Sequence, residues 1–266
     1  MRYLIEYLRL VRFINILIIS LSLVVTAILI ELPFNITTFL TILTVVLTLG
    51  NGNIINDIFD YDIDLVNRAK RVLPSGRISL RSAKIIYSIT LFIIIFIGSL
   101  LSERRVIELL LVNGILFLYS SHLKKIPILS NITVSLITAY TFLYISNFKL
   151  DGVVIFFMLT AFFTNFSREI VKDFEDIEGD ILFGYKSLPF LNKKLSKSLV
   201  KILLFLNLGI TILYFRNSII EASLLIMLNI YLVAIDPFKE AGKYQKWLKL
   251  LMGLGILTTL FVERLI

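Results

Sequence analysis

Two stretches of this chain carry acidic residues at a shared spacing. Residues 53–64 read Asn53-Ile-Ile-Asn56-Asp57-Ile-Phe-Asp60-Tyr-Asp-Ile-Asp64, and residues 169–180 read Glu169-Ile-Val-Lys-Asp173-Phe-Glu-Asp176-Ile-Glu-Gly-Asp180. Asn53, Asp57, Asp60 and Asp64 superimpose on Glu169, Asp173, Asp176 and Asp180, and each motif is followed by a basic residue three positions ahead of a proline, Arg71 before Pro74 and Lys186 before Pro189. Offsets of 4, 7 and 11 fall within about 60° of one another on a helix, so each motif is expected to aim its acids one way. Carboxylates grouped in this manner repel one another unless a cation joins them. With no cysteine and a single histidine, the chain offers oxygen donors, which select a hard ion such as Mg²⁺, held by a few carboxylates plus phosphate oxygens.

The expected metal ligands are Asp57, Asp60, Asp64, Asp173, Asp176 and Asp180, with Asp60, Asp64, Asp173 and Asp176 the leading candidates for catalysis. Asn53 and Glu169 have supporting places, and Asp62, Glu175 and Glu178 point off the shared face. Arg68, Lys70, Arg71 and Lys186 suit an anion between the two motifs, arginine gripping phosphate through two N–H groups and lysine acting as a point charge. The plain alternative for each motif is a solvated acidic helix end, and for each basic residue an ordinary loop charge.

The elements that must carry these residues are apolar. Of the 266 residues, 58% are hydrophobic and only 17% charged, against roughly a quarter in an average soluble domain. Runs 13–30, 32–56, 85–102 and 126–148 carry no charge and approach or exceed the roughly 18 residues a membrane helix needs. Shorter runs at 109–122, 152–167, 202–215, 222–235 and 250–262 can be extended by flanking Lys, Arg or Glu stems. The expected fold is all-α, a single integral-membrane domain over residues 1–266 with about nine helices in two repeated half-bundles. The first run follows Arg2, Arg9 and Arg12 and is read as a retained span, because no small-residue cleavage site follows it. Leu4, Ile5, Leu8 and Val11 give residues 2–12 the spacing of an amphipathic interfacial helix.

Placing the N-terminus inside puts fifteen loop Lys and Arg on the cytoplasmic side with both motifs and leaves five opposite, Arg104, Arg105, Lys149, Arg216 and Arg264. The net charge of +8 thus reads mainly as a topology signal in a multi-pass protein of the cell membrane, favourable to anionic lipids and substrates. No nucleic-acid-binding motif is present, and nothing in the sequence fixes an oligomeric state.

The pattern Asn56-x₃-Asp60-x₃-Asp64, with Asp173, Asp176 and Asp180 as a second acidic motif, resembles the UbiA superfamily of intramembrane prenyltransferases, and the likeness extends over nearly the whole chain. Glu169 stands where many members carry aspartate. Within that superfamily, residues 67–79 and 168–180 look most like the archaeal branch that attaches a second geranylgeranyl chain to geranylgeranylglyceryl phosphate in ether-lipid synthesis. The resemblance implies a prenyl diphosphate donor, a lipid acceptor and two Mg²⁺ ions between the motifs, and it adds Asn56 to the expected metal ligands and catalytic candidates. It also implies that Tyr119 and Lys124, in the segment Tyr119-Ser-Ser-His-Leu-Lys124, approach the donor diphosphate.

On this reading the metal-bound diphosphate leaves as the allylic C–O bond breaks, in a site poor in water and near π faces such as Phe59, Tyr61, Phe163, Phe166 or Phe174. Lys193, Lys194 and Lys197 are available for an acceptor phosphate, and His122 reads as an interfacial residue. Other acceptors within the same chemistry are an aromatic quinone precursor or a porphyrin. A cation transporter is the alternative outside enzymes, although its ligands would cluster near the bilayer midplane rather than at span ends beside basic loops.

Overall fold

The structure, a computed structural model, describes residues 2–265, and every regular element among them is helical. The side chain of Arg2, counted above among the basic residues ahead of the first run, lies outside the described residues. In chain order the α-helices are α1 (Arg2–Leu10), α2 (Phe13–Leu29), α3 (Ile36–Phe59), α4 (Tyr61–Asn67), α5 (Leu80–Leu101), α6 (Glu103–Ser121) and α7 (Leu129–Ile145). There follow α8 (Gly152–Glu175), α9 (Ile177–Leu182), α10 (Leu188–Leu191), α11 (Lys193–Tyr214), α12 (Ser223–Ala234) and α13 (Ala241–Leu265).

The nine apolar runs fall in order on α2, α3, α5, α6, α7, α8, α11, α12 and α13. Five of these helices, α3, α5, α8, α11 and α13, are long and apolar enough to cross a membrane by themselves; α1 and α2, bent by 65°, reach that length and apolarity only as a pair, either a broken span or a re-entrant loop. The count of nine spans is therefore approximate. Helix α7 has 17 residues and α12 only 12, while α6 carries Glu103, Arg104, Arg105 and Glu108 at its start.

Starts are fixed by side-chain caps that accept from exposed backbone N–H groups. Asn35 caps α3 through Thr38 N, Ser102 caps α6 through Arg105 N, Asp151 caps α8 through Val153 N and Asn192 caps α11 through Leu195 N.

The chain divides into two compact units. One runs to Ser20 and resumes over Pro33–Lys124, and the other holds Leu21–Leu32 and the chain from Lys125 onward. In the first unit α3 packs against α1, α5 and α6. Leu10, Val11, Ile16, Ile54, Val72, Leu73, Ile78 and Ala83 form its buried cluster, so the connection between α4 and α5 is folded back onto α1 and α3. Gly98 lets α5 meet α6 closely, since a Cβ there would stand 2.7 Å from Leu109 Cδ1.

In the second unit α8 is the central helix, packed against α7, α11 and α13. Phe156 anchors it, stacking on Tyr214 at 4.2 Å between ring centroids and meeting Phe215 edge-on at 5.5 Å. Each unit thus carries one acidic motif at the end of its central helix.

Candidate active site

Both central helices break at the same place in the repeat. Helix α3 ends at Phe59, and Asp60, with φ −84° and ψ 2°, joins it to α4; α8 ends at Glu175, and Asp176, with φ −93° and ψ 0°, joins it to α9. Backbone bonds of the i to i−4 type continue through each junction, from Asp60 N to Asn56 O at 2.9 Å and from Asp176 N to Lys172 O at 3.1 Å. The expectation that each motif lies on one helix is therefore corrected. Each motif is carried on two helices joined at its middle acid, where ψ lies near zero rather than at the helical value of about −42°.

In the first unit Asn56, Asp57, Asp60 and Asp64 are only 3–7% exposed. Burying three carboxylates is costly unless each is compensated. Asp57 Oδ1 accepts from Arg12 Nη2 at 2.6 Å and meets Arg71 Nη1 at 3.4 Å. Asp64 Oδ2 accepts from Arg71 Nη1 at 2.6 Å, and Asp60 Oδ2 accepts from Lys124 Nζ and from Asn56 Nδ2. Burial raises the Asp64 carboxyl above the ordinary carboxylate range, and the Arg71 guanidinium opposes that rise.

Arg71 and Lys124 were expected at phosphate oxygens and stand on the motif's carboxylates. Arg12 was read only as a charge ahead of the first span. Its backbone lies at φ 58°, a left-handed turn between α1 and α2 that swings its guanidinium onto Asp57, and Asn53 Nδ2 holds that turn by donating to Val11 O at 2.9 Å. Arg68 and Lys70 lie with Arg71 in the connection from α4 to α5, Arg68 half-buried and Lys70 exposed; Tyr119 is buried at the end of α6.

In the second unit Asp180 and Glu169 are buried, while Asp173 and Asp176 are half-buried. Glu169 is held by its neighbours, Arg168 Nη2 at 2.9 Å and Lys172 Nζ at 3.1 Å. Asp173 Oδ2 accepts from Asn131 Nδ2 at 2.8 Å. Lys186 is exposed in the connection from α9 to α10.

Asn131 escaped the sequence reading because it sits in a charge-free run, where the only signal was an amide among apolar residues. Asp173 is among the expected metal ligands, and a group that orients such a carboxylate commonly accounts for about 10–100-fold in affinity or activity. Asn131→Leu is therefore expected to lower kcat/KM by that order with helix content unchanged, checked by steady-state kinetics beside circular dichroism, and Asn131→Gln should recover part of the loss.

Asp62, Glu175 and Glu178 are exposed, as their off-face positions imply, and Glu175 Oε2 accepts from Gln245 Nε2 at 2.6 Å. The aromatic candidates divide. Phe59 meets Phe117 edge-on at 5.5 Å, Tyr61 packs on the buried cluster of its unit, and Phe163 and Phe166 flank Phe162 at 5.4 and 5.8 Å. Phe174 stacks on Phe238 at 4.2 Å and already carries Lys193 Nζ at 4.6 Å, which makes it a poor seat for a second cation. Lys197 is also engaged, paired with Asp236, whose carboxyl this contact holds below the ordinary range. His122 is exposed, its Nδ1 2.7 Å from Ser121 Oγ.

Among the described residues no three acidic or histidine side chains converge closely enough to form a metal cage by themselves. The donors nonetheless suit a hard ion shared with a ligand's oxygens. Asn56 Oδ1 is buried with no hydrogen-bond partner, on the side chain that donates to Asp60, and every acid around it offers oxygen.

A helical membrane bundle with a paired acidic motif at the ends of two central helices matches the UbiA prenyltransferase family, whose model covers residues 16–251, and the chain belongs to that family. It is 35% identical to the digeranylgeranylglyceryl phosphate synthase of Methanothrix thermoacetophila, across 81% of this chain and 82% of the relative. It is 33% identical to the synthase of the same name from Methanobrevibacter smithii, across 91% and 92%. Among solved structures, one of a digeranylgeranylglyceryl phosphate synthase superimposes with a TM-score of 0.75 at 29% identity over the full length of both chains. A UbiA homolog from Archaeoglobus fulgidus, solved with DMAPP and Mg²⁺, shares the fold at a TM-score of 0.67 and 18% identity, covering 95% of this chain and 98% of that one.

Proposed function

We propose that this chain transfers a geranylgeranyl group from geranylgeranyl diphosphate to the free hydroxyl of geranylgeranylglyceryl phosphate, acting as one Mg²⁺-dependent catalytic domain over residues 1–266. Carrying this reading is the repeated break at Asp60 and Asp176, with acids buried at the first and buried or half-buried at the second, at the ends of two apolar helices. The relatives' shared name supports the choice of acceptor over a quinone precursor or a porphyrin. Membership of a prenyltransferase family sets the transporter reading aside. The excess of basic loop residues beside the motifs supports placing the site at the cytoplasmic face of the cell membrane.

Asn56, Asp57, Asp60 and Asp64 from one motif, with Asp173, Asp176 and Asp180 from the other, would hold Mg²⁺. When bound, the ion neutralises charge on the diphosphate. Arg71 and Lys124 exchange their carboxylate partners for phosphate oxygens as the donor enters, with Arg68, Lys70 and Lys186 completing the cationic side. Asn53, Tyr119 and Glu169 keep supporting roles. The C–O bond of the donor then breaks toward the diphosphate, the acceptor oxygen bonds the allylic carbon, and the hydroxyl proton passes to the departing diphosphate or to a free aspartate oxygen. Apolar helices around the site keep water from the allylic cation.

The test offers purified protein geranylgeranyl diphosphate with geranylgeranylglyceryl phosphate, with 4-hydroxybenzoate or with no acceptor, each with and without Mg²⁺. Transfer to the glyceryl phosphate alone, requiring Mg²⁺, is expected. Transfer to 4-hydroxybenzoate instead, or to neither, would overturn the assignment.

A further inference from the structure

Within the first unit, a cavity of about 650 Å³ lies between α1, the Arg12 turn and the connection from α4 to α5, lined by Arg9, Arg12, Asp57, Lys70, Arg71, Val72, Ser75 and Arg77. Five of these are cations. They face three carboxylates: Asp57, which meets Arg12 and Arg71; Asp64, which meets Arg71 at 2.6 Å; and buried Glu6, which pairs with Arg9 at 2.8 Å and Arg77 at 2.9 Å. Positive charge in excess of its partners repels itself, and an anion in the cavity relieves that repulsion.

Guanidinium groups from several sides with one lysine suit a phosphate that presents several oxygens at once. The volume exceeds what a bare phosphate needs and is of the size that takes a headgroup. Tyr3, Leu4 and Ile5 of α1 are 82%, 61% and 44% exposed, as suits a helix at the lipid interface, the depth at which headgroups lie.

We propose that this cavity binds a phosphate monoester on a lipid, and specifically the phosphate of the acceptor. The inference rests on the proposed function and adds where the acceptor docks. Asp57 and Arg71 belong both to the cavity wall and to the first acidic motif's ion pairs. Glycerol bearing one ether and one phosphate has a single free hydroxyl, at most two carbons from the phosphorylated carbon. A phosphate anchored here therefore leaves that hydroxyl beside the motif. Of Lys193, Lys194 and Lys197, the sequence's choice for this phosphate, Lys193 and Lys197 are engaged instead with Phe174 and Asp236, and Lys194 is exposed.

The test is kinetic. Because Arg9 and Arg77 both pair with Glu6, the variant is Glu6→Gln/Arg9→Gln/Arg77→Gln, which strands no buried carboxylate, and Glu6→Gln alone controls for folding. The KM for geranylgeranylglyceryl phosphate should rise about tenfold or more, the scale of one lost charge-assisted hydrogen bond. The KM for geranylgeranyl diphosphate, and turnover of the phosphate-free acceptor geranylgeranylglycerol, should stay as in the wild type, and Glu6→Gln should bind the acceptor at least as well as the wild type. Phosphatidic acid, a phosphate monoester lipid with no free glycerol hydroxyl, should compete with the acceptor in the wild type and less so in the triple variant.

An unchanged acceptor KM, or an equal loss with geranylgeranylglycerol, would overturn the proposal. A raised donor KM would assign the cavity to the diphosphate instead. Stimulation by phosphatidic acid without competition would make it a bulk-lipid site. A wild type that transfers to neither glycerol acceptor refutes the proposed function itself; direct binding of glycerol 1-phosphate to wild type and triple variant then decides the cavity's role, equal binding sinking it.

Discussion

Replacing Asp60 with asparagine is expected to lower Mg²⁺-dependent prenyl transfer by about 10³-fold or more, roughly 4 kcal/mol of transition-state stabilisation. Asp60 is 3% exposed at the helix break, accepts from Asn56 Nδ2 and is paired with Lys124. The substitution keeps the size of the side chain while removing the charge that both a metal ion and Lys124 require. Asp57→Asn should cost less, because Asp57 is engaged by Arg12 and Arg71. Turnover of the two variants across a Mg²⁺ series checks this: near-normal, Mg²⁺-dependent activity in Asp60→Asn would refute the role given to the first motif.

Arg71→Ala is expected to reduce kcat/KM by about 10²–10³-fold, the range for removing one preorganised donor from a developing oxyanion. Arg71 reaches Asp57 and Asp64 through a single nitrogen, and it is placed there because Val72 and Leu73 beside it are buried against Leu10 and Val11. Its guanidinium is thus fixed by the fold rather than held on a loose loop. Arg71→Lys should recover part of the activity, since an ammonium restores charge without the two-pronged grip. The fall should appear in kcat as well as in donor KM, with helix content unchanged. A loss confined to acceptor KM would move Arg71 wholly into the adjoining cavity.

The sequence was most legible where periodicity and charge speak together. Apolar runs located nine helices in order, and the matched acids marked the two on which the units are centred. The span count was softer, because hydropathy does not measure helix length in space: α12 has only 12 residues and α6 begins among four charged ones.

Within the site, spacing found the acids and missed their partners. Arg12 reaches Asp57 only because a left-handed residue turns the chain, and Asn131 reaches Asp173 across 42 positions in sequence. Such contacts arise from tertiary packing, and neither residue differs locally from an ordinary arginine or amide. The break at Asp60 and Asp176 was likewise hidden, since neither glycine nor proline marks it and the backbone bonds run on through it.

The measurement closest to the central proposal is Mg²⁺-dependent binding of geranylgeranyl diphosphate to the protein in detergent, made in parallel on the wild type, Asp60→Asn and Asp176→Asn. If both motifs grip one diphosphate, wild-type binding needs Mg²⁺ and either substitution removes it to a similar extent. Wild-type donor affinity in either variant, or binding indifferent to Mg²⁺, would contradict the paired clamp.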